Sequence, residues 1–494
     1  MAQDSGSAVD RATDSQGSLA KAVSHKGSDR EADVAALRKD LVDLREVLQA
    51  SREDHTWSQN IEQRLASLEA RLAALTKVAT AEARDGDPAS TAVTWRVQER
   101  ARIESWDNAT SLSRSANQAN SYTRNRTSLA VTWKPVSALE AGLKLTNEFR
   151  TYFAPLNKDF TWNEAFIDQA YARWTFTGPV GGAVTAGRQD IMLGEGFVMM
   201  DGTPLDGSRS SYFDGVRVDA AVSGTARLTA FAVDVPRIDR HLPVINPKDQ
   251  LLTDTDTRGW GFYGQIEAAG INLQPYAIHR QSDALGAVVS SRTTLLGGRV
   301  MAGLPHAVSL VAEGGWETGS VGAVPRDAVG GYAYAEIGTG WSAGLPQTVT
   351  VRYVYLSGDD PATTGTVEGW DPMFGRWPKW SESYVYTLTK EGGVAYWSNM
   401  ASVGGSVRST VSPGVEVKLD YQYLTAPQHF APGRSFPGGT GTTRGNLLGA
   451  RVSYKLSAIV SGHVVWEHFK PGDYYFAGAS EYNWSRVEFM FNLQ

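Results

Sequence analysis

The sequence predicts an all-β transmembrane barrel of about 18 antiparallel strands, preceded by an N-terminal α-helical coiled-coil segment. Three observations carry this. From Thr91 onward, apolar and polar residues alternate with period two. Short turns alternate with long polar loops. No run of eighteen apolar residues exists, so only strands are left to cross a membrane.

Composition narrows the class. None of the 494 residues is Cys, which fits passage through an oxidising compartment and excludes a disulfide scaffold or a Cys-ligated zinc or iron–sulfur site. Mean hydropathy is −0.29, as expected of strands with one dry and one wet face. A net charge of −6 argues against nucleic acid as a partner.

Residues 1–30 are rich in Ser, Ala, Gly and Asp and read as disordered. The opening MAQDSGSA has neither a basic start nor an apolar core. It reads as a mature chain beginning near Ala2 behind an added Met. Over 31–82, Val34, Leu37, Leu41, Leu44 and Leu48, then Ile61, Leu65, Leu68, Leu72 and Leu75, follow a/d heptad spacing. Ser51, His55 and Ser58 interrupt the seam, as a stutter would. So narrow a stripe calls for partner helices, and a short coiled coil, with a trimer among its forms, is expected. A lone amphipathic helix is the alternative. Residues 83–90 are the linker.

The barrel is expected over 91–494. Val415, Val417, Leu419, Tyr421 and Tyr423 oppose Glu416, Lys418, Asp420 and Gln422. Leu139, Ala141, Leu143, Leu145 and Phe149 likewise oppose Glu140, Lys144, Glu148 and Arg150. Eight short turns fall near 135–137, 178–182, 223–224, 269–270, 303–306, 343–346, 412–414 and 455–457. Nine long loops fall near 107–121, 153–162, 190–211, 235–257, 281–291, 318–328, 358–393, 425–443 and 470–483. This asymmetry is that of bacterial outer-membrane barrels, with short periplasmic turns and long outer loops. Both barrel ends then lie on the periplasmic side, which puts the helical segment in the periplasm. Val487, Phe489, Phe491 and Leu493 give the last strand the amphipathic pattern read by barrel-assembly machinery, although the chain ends in Gln494 rather than an aromatic residue.

Strand parity selects the lumen face. With Trp95, Val97, Ala101 and Ile103 toward lipid, Arg96, Gln98, Arg100, Arg102 and Glu104 point inward. Glu99 falls on the lipid side by this count, which admits a bulge or a shifted register. Arg124, Arg126, Glu148, Arg150, Arg173, Arg217, Asp219, Arg352, Arg408, Lys418, Asp420, Arg451 and Arg486 share the inward parity; Arg188, Arg280 and Arg299 are ambiguous. Arginine presents a permanent charge and a planar fork of donors, so a lumen rich in it favours anions. The alternative is that the arginines only hold the wall against inner loops. Trp95, Trp133, Trp174 and Trp484 are expected in aromatic girdles, or else in a sugar-stacking surface.

Four features resemble the alginate-export family of outer-membrane porins. They are RVQERARIE (96–104) with NEFRTYF (147–153), GRQDIMLGEGF (187–197) followed by SSYFDGVRVD (210–219), EGWDPMFGRWPKW (368–380), and EHFKPGDYY (467–475). The resemblance implies an eighteen-stranded monomeric barrel whose electropositive constriction selects an anionic uronate polymer. Arg100, Arg102, Arg124, Arg126 and Arg150 stand in the matching strands. The N-terminal heptads depart from the family pattern.

An enzyme is not expected. The 8 His show no HExxH or paired ligand spacing, and only His463 beside a neighbouring-strand Ser on the outer wall would offer hydrolase parts. No cofactor is expected beyond loose calcium at the loop acids DTDTR (254–258) and SGDD (357–360), which read more simply as solvated acids. The leading expectation is passive export or diffusion of an anionic polysaccharide. The alternatives are a porin for small anions or sugars, and a tether joining the outer membrane to peptidoglycan or a periplasmic protein through the coiled coil.

Overall fold

The computed structural model describes residues 92–493, apart from 117–118, 157, 159, 201–211, 342–344, 376–380, 389–390, 392–395 and 430–437. The expected disordered N-terminus, coiled coil and linker lie outside the described residues.

Period-two patterning yields nineteen strands. They are β1 (Ala92–Trp106), β2 (Asn120–Val136), β3 (Leu139–Ala154), β4 (Thr161–Phe176), β5 (Gly181–Gln189), β6 (Phe213–Ala221), β7 (Ala226–Val235), β8 (Val244–Ile245), β9 (Thr257–Ala268) and β10 (Ile271–Ser282). Then follow β11 (Ser291–Leu304), β12 (Val308–Val321), β13 (Val324–Gly338), β14 (Thr348–Leu356), β15 (Met400–Ser412), β16 (Val415–Thr425), β17 (Thr443–Lys455), β18 (Val460–Pro471) and β19 (Tyr482–Leu493). Each pairs antiparallel with the next, except that β7 pairs directly with β9 and the two-residue β8 adds to β4 at Ala165 and Phe166. β19 returns to β1, from Val97↔Leu493 to Trp106↔Trp484. The wall is therefore a closed ring of eighteen strands, with no free edge to template aggregation.

The connections alternate as expected, with one correction. No loop stands at 318–328: β12 and β13 run on to a two-residue turn, Gly322–Ala323, with Gly322 at φ 59°. Trp316 and Val329 outside, with Glu317 and Ala328 inside, keep the alternation going through residues that read as polar only because Ser320, Arg326 and Asp327 are grouped there.

Outward residues are apolar and exposed along the wall, including Leu129, Leu143, Leu296, Val351 and Leu419. Trp95, Trp133 and Trp174 lie outward near the short-turn end, as a girdle requires. Trp484 does not: it is fully buried on the inner face, under the Arg486 guanidinium at 4.7 Å. Its neighbour Ser485, paired with Ser105, takes the outward place.

The apolar core lies inside the barrel. Residues 190–200 and the described residues of 357–399 fold into the lumen and bind one another: Phe374 N–H donates to Val198 O at 3.0 Å and Met200 N–H to Phe374 O at 3.3 Å. Phe197 stacks on Trp370, and both are buried with Ile191, Val198, Met199 and Met373. The wall makes room for them. A Cβ on Gly330 would sit 2.4 Å from the Trp370 ring, and one on Gly259 would sit 2.5 Å from Phe374. Burying such side chains is worth ~1.5–3 kcal/mol each, enough to hold otherwise polar loops inside.

Candidate functional site

The inner face of β1–β4 carries a ladder of cations. Register sets Arg100 opposite Arg126, Arg102 opposite Arg124, and Arg124 opposite Arg150. Like charges directly across a sheet destabilise it, so carboxylates must intervene. Glu148, fully buried, lies 2.8 Å from Arg124, 3.3 Å from Arg150 and 3.8 Å from Arg100. Asp168 takes Lys144 at 2.7 Å and Arg126 at 3.4 Å. Cations outnumber carboxylates in this group. Arg100 shows the excess: its Nε and Nη2 have no hydrogen-bond partner among the described residues.

The ladder continues across the junction of β1 and β19. Arg102 Nε donates to Glu488, and Arg486 Nε donates to Glu104 Oε1 at 2.7 Å. Tyr122 OH also donates to Glu104, at 2.7 Å.

The inner loop 357–399 is pinned on both sides of the lumen. On one side Asp371 receives Arg280 directly and lies 3.8 Å from Arg326, while Arg326 Nη1 donates to Glu317 at 3.1 Å. On the other, Glu382 pairs with Arg486 and with Arg451 at 3.2 Å. Glu467 accepts from the hydroxyls of Ser381 and Ser383 at 2.6 and 2.5 Å. Arg444 bonds both oxygens of Glu391 and lies over the Tyr474 ring at 4.2 Å. Burial raises the Glu382 carboxyl, but Arg486, Arg102 and Arg451 outweigh it and bring its pKa down to about 2. The other inner loop is held by Glu195, which accepts from Arg299 at 2.6 Å and Tyr334 at 2.7 Å.

The expected lumen residues all occupy the inner face, but not as one ring. Arg100, Arg102, Arg124, Arg126, Glu148 and Arg150 are gathered in the ladder, and Arg486 at its edge. Arg173 stands across from Glu140, and Arg217 pairs with Asp219 at 2.9 Å. Arg352 forms a two-pronged pair with Asp420 at 2.5 and 2.8 Å. Arg408 pairs with Glu336, and Arg451 reaches the inner loop. Of the ambiguous residues, Arg280 and Arg299 face inward and hold the two inner loops. Arg188 faces outward, near the long-loop end, buried beneath loop 236–256 with Asp214 at 2.7 Å and Asp239 at 2.9 Å.

Sequence reasoning missed Lys144, Asp168, Asp371, Glu382, Glu391 and Arg444 as site groups. Parity gave the side on which Lys144 lies, but Asp168 stands at a register shift between β3 and β4 that strict alternation does not follow, and the loop residues Asp371, Glu382 and Glu391 carry no periodicity to reveal that they turn inward. Among the described residues, no group of three or more His, Asp or Glu is arranged to hold a metal ion. The Arg237 N–H and the Arg240 guanidinium hold Asp256 below the usual carboxylate range, and the Glu368 N–H donates to Asp359 at 2.7 Å. His463 faces inward, 3.4 Å from Glu488, rather than standing on the outer wall.

A closed eighteen-strand barrel with an apolar exterior and a charged interior defines an outer-membrane channel. The sequence pattern of the alginate export family matches residues 92–487, and the chain belongs to that family. Solved barrels share the fold. OpdO of Pseudomonas aeruginosa is 13% identical with a TM-score of 0.52, covering 81% of this chain and 97% of its own. OprD of the same organism is 10% identical with a TM-score of 0.52, covering 83% and 97%. OccK2 (OpdF) of that organism, solved in complex with glucuronate, is 12% identical with a TM-score of 0.51, covering 81% and 98%. No curated protein matches the chain.

Proposed function

We propose that the barrel passes an anionic solute by passive diffusion along the arginine ladder, and that a polyuronate such as alginate is its cargo. The observation that carries this is Arg100. It is set among Arg102, Arg124 and Arg126 on the inner face, and its side chain keeps 11% of its surface exposed. A carboxylate moving along the wall would be drawn to the exposed edge of this cationic cluster and leave again, because Glu148 and Glu488 compete for the neighbouring guanidinium groups. Membership of the alginate export family supports the polymer.

A second reading has its own support. The inner loops occupy much of the lumen, and OccK2 of the same fold holds glucuronate, a single uronate. On that reading the cargo is a small organic anion. Because β1 begins and β19 ends at the short-turn end, we place the N-terminal segment on the periplasmic side.

Single-channel recording in a planar bilayer, under a salt gradient and with added oligo-uronate, tests both. Anion-selective current blocked by the oligomer supports the polyuronate path. Anion-selective current blocked by glucuronate alone supports the small-anion path. Current that is large, unselective and unaffected by either rejects both.

A further inference from the structure

On the outer face of β9–β11, near the long-loop end, three side chains form a row of donors. Arg258 of β9, Gln281 of β10 and Arg292 of β11 are register partners, so they stand side by side across adjacent strands. They share parity with the outward residues Trp260, His279 and Leu296. Arg258 Nε donates to Asp234 of β7 at 3.2 Å, which fixes the guanidinium. Both of its Nη groups are left without a protein acceptor among the described residues. The side chains of Gln281 and Arg292 have no hydrogen-bond or ion-pair partner among those residues either. The two arginines are separated by one strand, roughly 10 Å between backbones, and their long side chains can converge over the Gln281 amide.

A groove of about 450 Å³ runs beneath the row. Its floor is the small Ala232 of β7, which stands in register between Val216 of β6 and Trp260. The Trp260 indole forms one wall and stacks on the His279 ring at 5.5 Å. The carboxylates at the upper end lie on the side of Arg258 away from Gln281, and both are engaged. Asp214 takes Arg188 at 2.7 Å, Asp234 takes Arg258, and His241 bridges the two at 2.7 and 3.3 Å. The height of the row is set by β11. Arg292 stands twelve residues from Leu304, exposed at the short-turn end. In a tilted strand that is roughly 30 Å, just past an apolar band of about 25 Å. Trp260, Phe262 and Trp316, all outward and exposed, mark the interface directly below.

We infer that this face binds a phosphorylated lipid of the outer leaflet, with its phosphate on Arg258, Gln281 and Arg292 and an acyl chain in the groove below. Phosphate is the matching headgroup chemistry, because guanidinium groups present a planar fork of donors and the amide between them adds another. A lipid is the fitting occupant on two grounds. The free donors stand at headgroup height, where a membrane-anchored phosphate is presented. Directly beneath them the trough over Ala232 is apolar and opens into the acyl layer, so one molecule can satisfy both. The opposite wall lacks this pairing. Among the described residues of β14–β16, the outward side chains at the long-loop end are Tyr355, Ala401 and Tyr423, none of them charged.

The test uses the full chain, folded in mild detergent, and a defined probe: an acylated glucosamine disaccharide carrying two phosphates, compared with the same glycolipid stripped of phosphate. Native mass spectrometry measures the adduct, and heat-modifiable gel migration verifies folding of every variant. The expected result is a single adduct with the phosphorylated probe and at least tenfold weaker binding of the stripped one. Arg258→Gln/Arg292→Gln should weaken the phosphorylated adduct at least tenfold. Ala232→Phe, which fills the trough without touching a charge, should weaken it as well. Lys470→Gln, which removes an outward cation from β18, should leave it unchanged. An adduct retained in the double variant, an equal loss in Lys470→Gln, or equal binding of the two probes would each overturn the proposal. Displacement by inorganic phosphate together with an unchanged adduct in Ala232→Phe would also overturn it, since the row would then be a site for free anions rather than for a lipid.

Discussion

Phe197 and Trp370 lie face to face inside the lumen, ring centroids 5.3 Å apart and planes 14° from parallel, and through this contact each inner loop keeps the other in place. Trp370→Ala removes the stack and the packing against Gly330. A buried Trp→Ala change costs ~3–5 kcal/mol, and here the loss falls on loop docking rather than on the wall. The expected outcome is a folded barrel with larger and noisier single-channel conductance. Gly330→Ala should act the same way from the wall side, because its Cβ would meet the ring at 2.4 Å. Conductance unchanged in both variants would mean that these loops do not narrow the path.

Arg100→Glu combined with Arg126→Glu reverses two directly opposed charges of the ladder. Anion selectivity should fall, with the reversal potential in a salt gradient moving toward the cation value. Unchanged reversal potentials would remove the ladder from the conduction path.

Glu148 is the shared counter-ion of Arg100, Arg124 and Arg150, and it is fully buried. Glu148→Gln leaves those arginines without it. Breaking a buried ionic group in this way costs on the order of 3–5 kcal/mol. The heat-modifiability midpoint should drop accordingly, whereas Arg217→Gln, in a half-exposed pair with Asp219, should leave it almost unmoved.

The Glu382 anchor predicts an acid response. Its pKa in the folded chain is about 2, below the ordinary glutamate value of about 4.3. The anchor therefore contributes fully above that ordinary value and is lost as pH falls through about 2. Conductance noise should stay constant from neutral pH into the mildly acidic range and rise only toward the lower limit. Glu382→Gln should show the acid behaviour at neutral pH. Noise rising already near pH 6 would show that some other group holds the loop.

The wall was legible because membrane strands impose a strict two-residue alternation. Arg100, Arg126, Arg352 and Arg486 could each be assigned a side from their neighbours alone. The alternation also identified Glu99 as an exception, and the structure keeps it one. It could not decide Arg188, because β5 and β6 are only nine residues each and loop 236–256 covers an outward side chain there. Trp484 misled because indoles are common at both interfaces, and only register with Trp106 and the neighbouring Arg486 draws it inside. The loop anchors Asp371, Glu382 and Glu391 had no local signal, since their partners Arg280, Arg326, Arg486 and Arg444 belong to strands distant in sequence.

The place where the ring closes is fastened three times over, by Arg102 to Glu488, by Arg486 to Glu104, and by Glu382 reaching Arg486 from within. The last of these bonds needs only β19, which carries Arg486, whereas the first two form only when β19 lies beside β1. Prising the first strand from the last therefore means stripping Arg102 and Arg486 of their counter-ions Glu488 and Glu104, so the seam resists lateral opening by more than its backbone ladder.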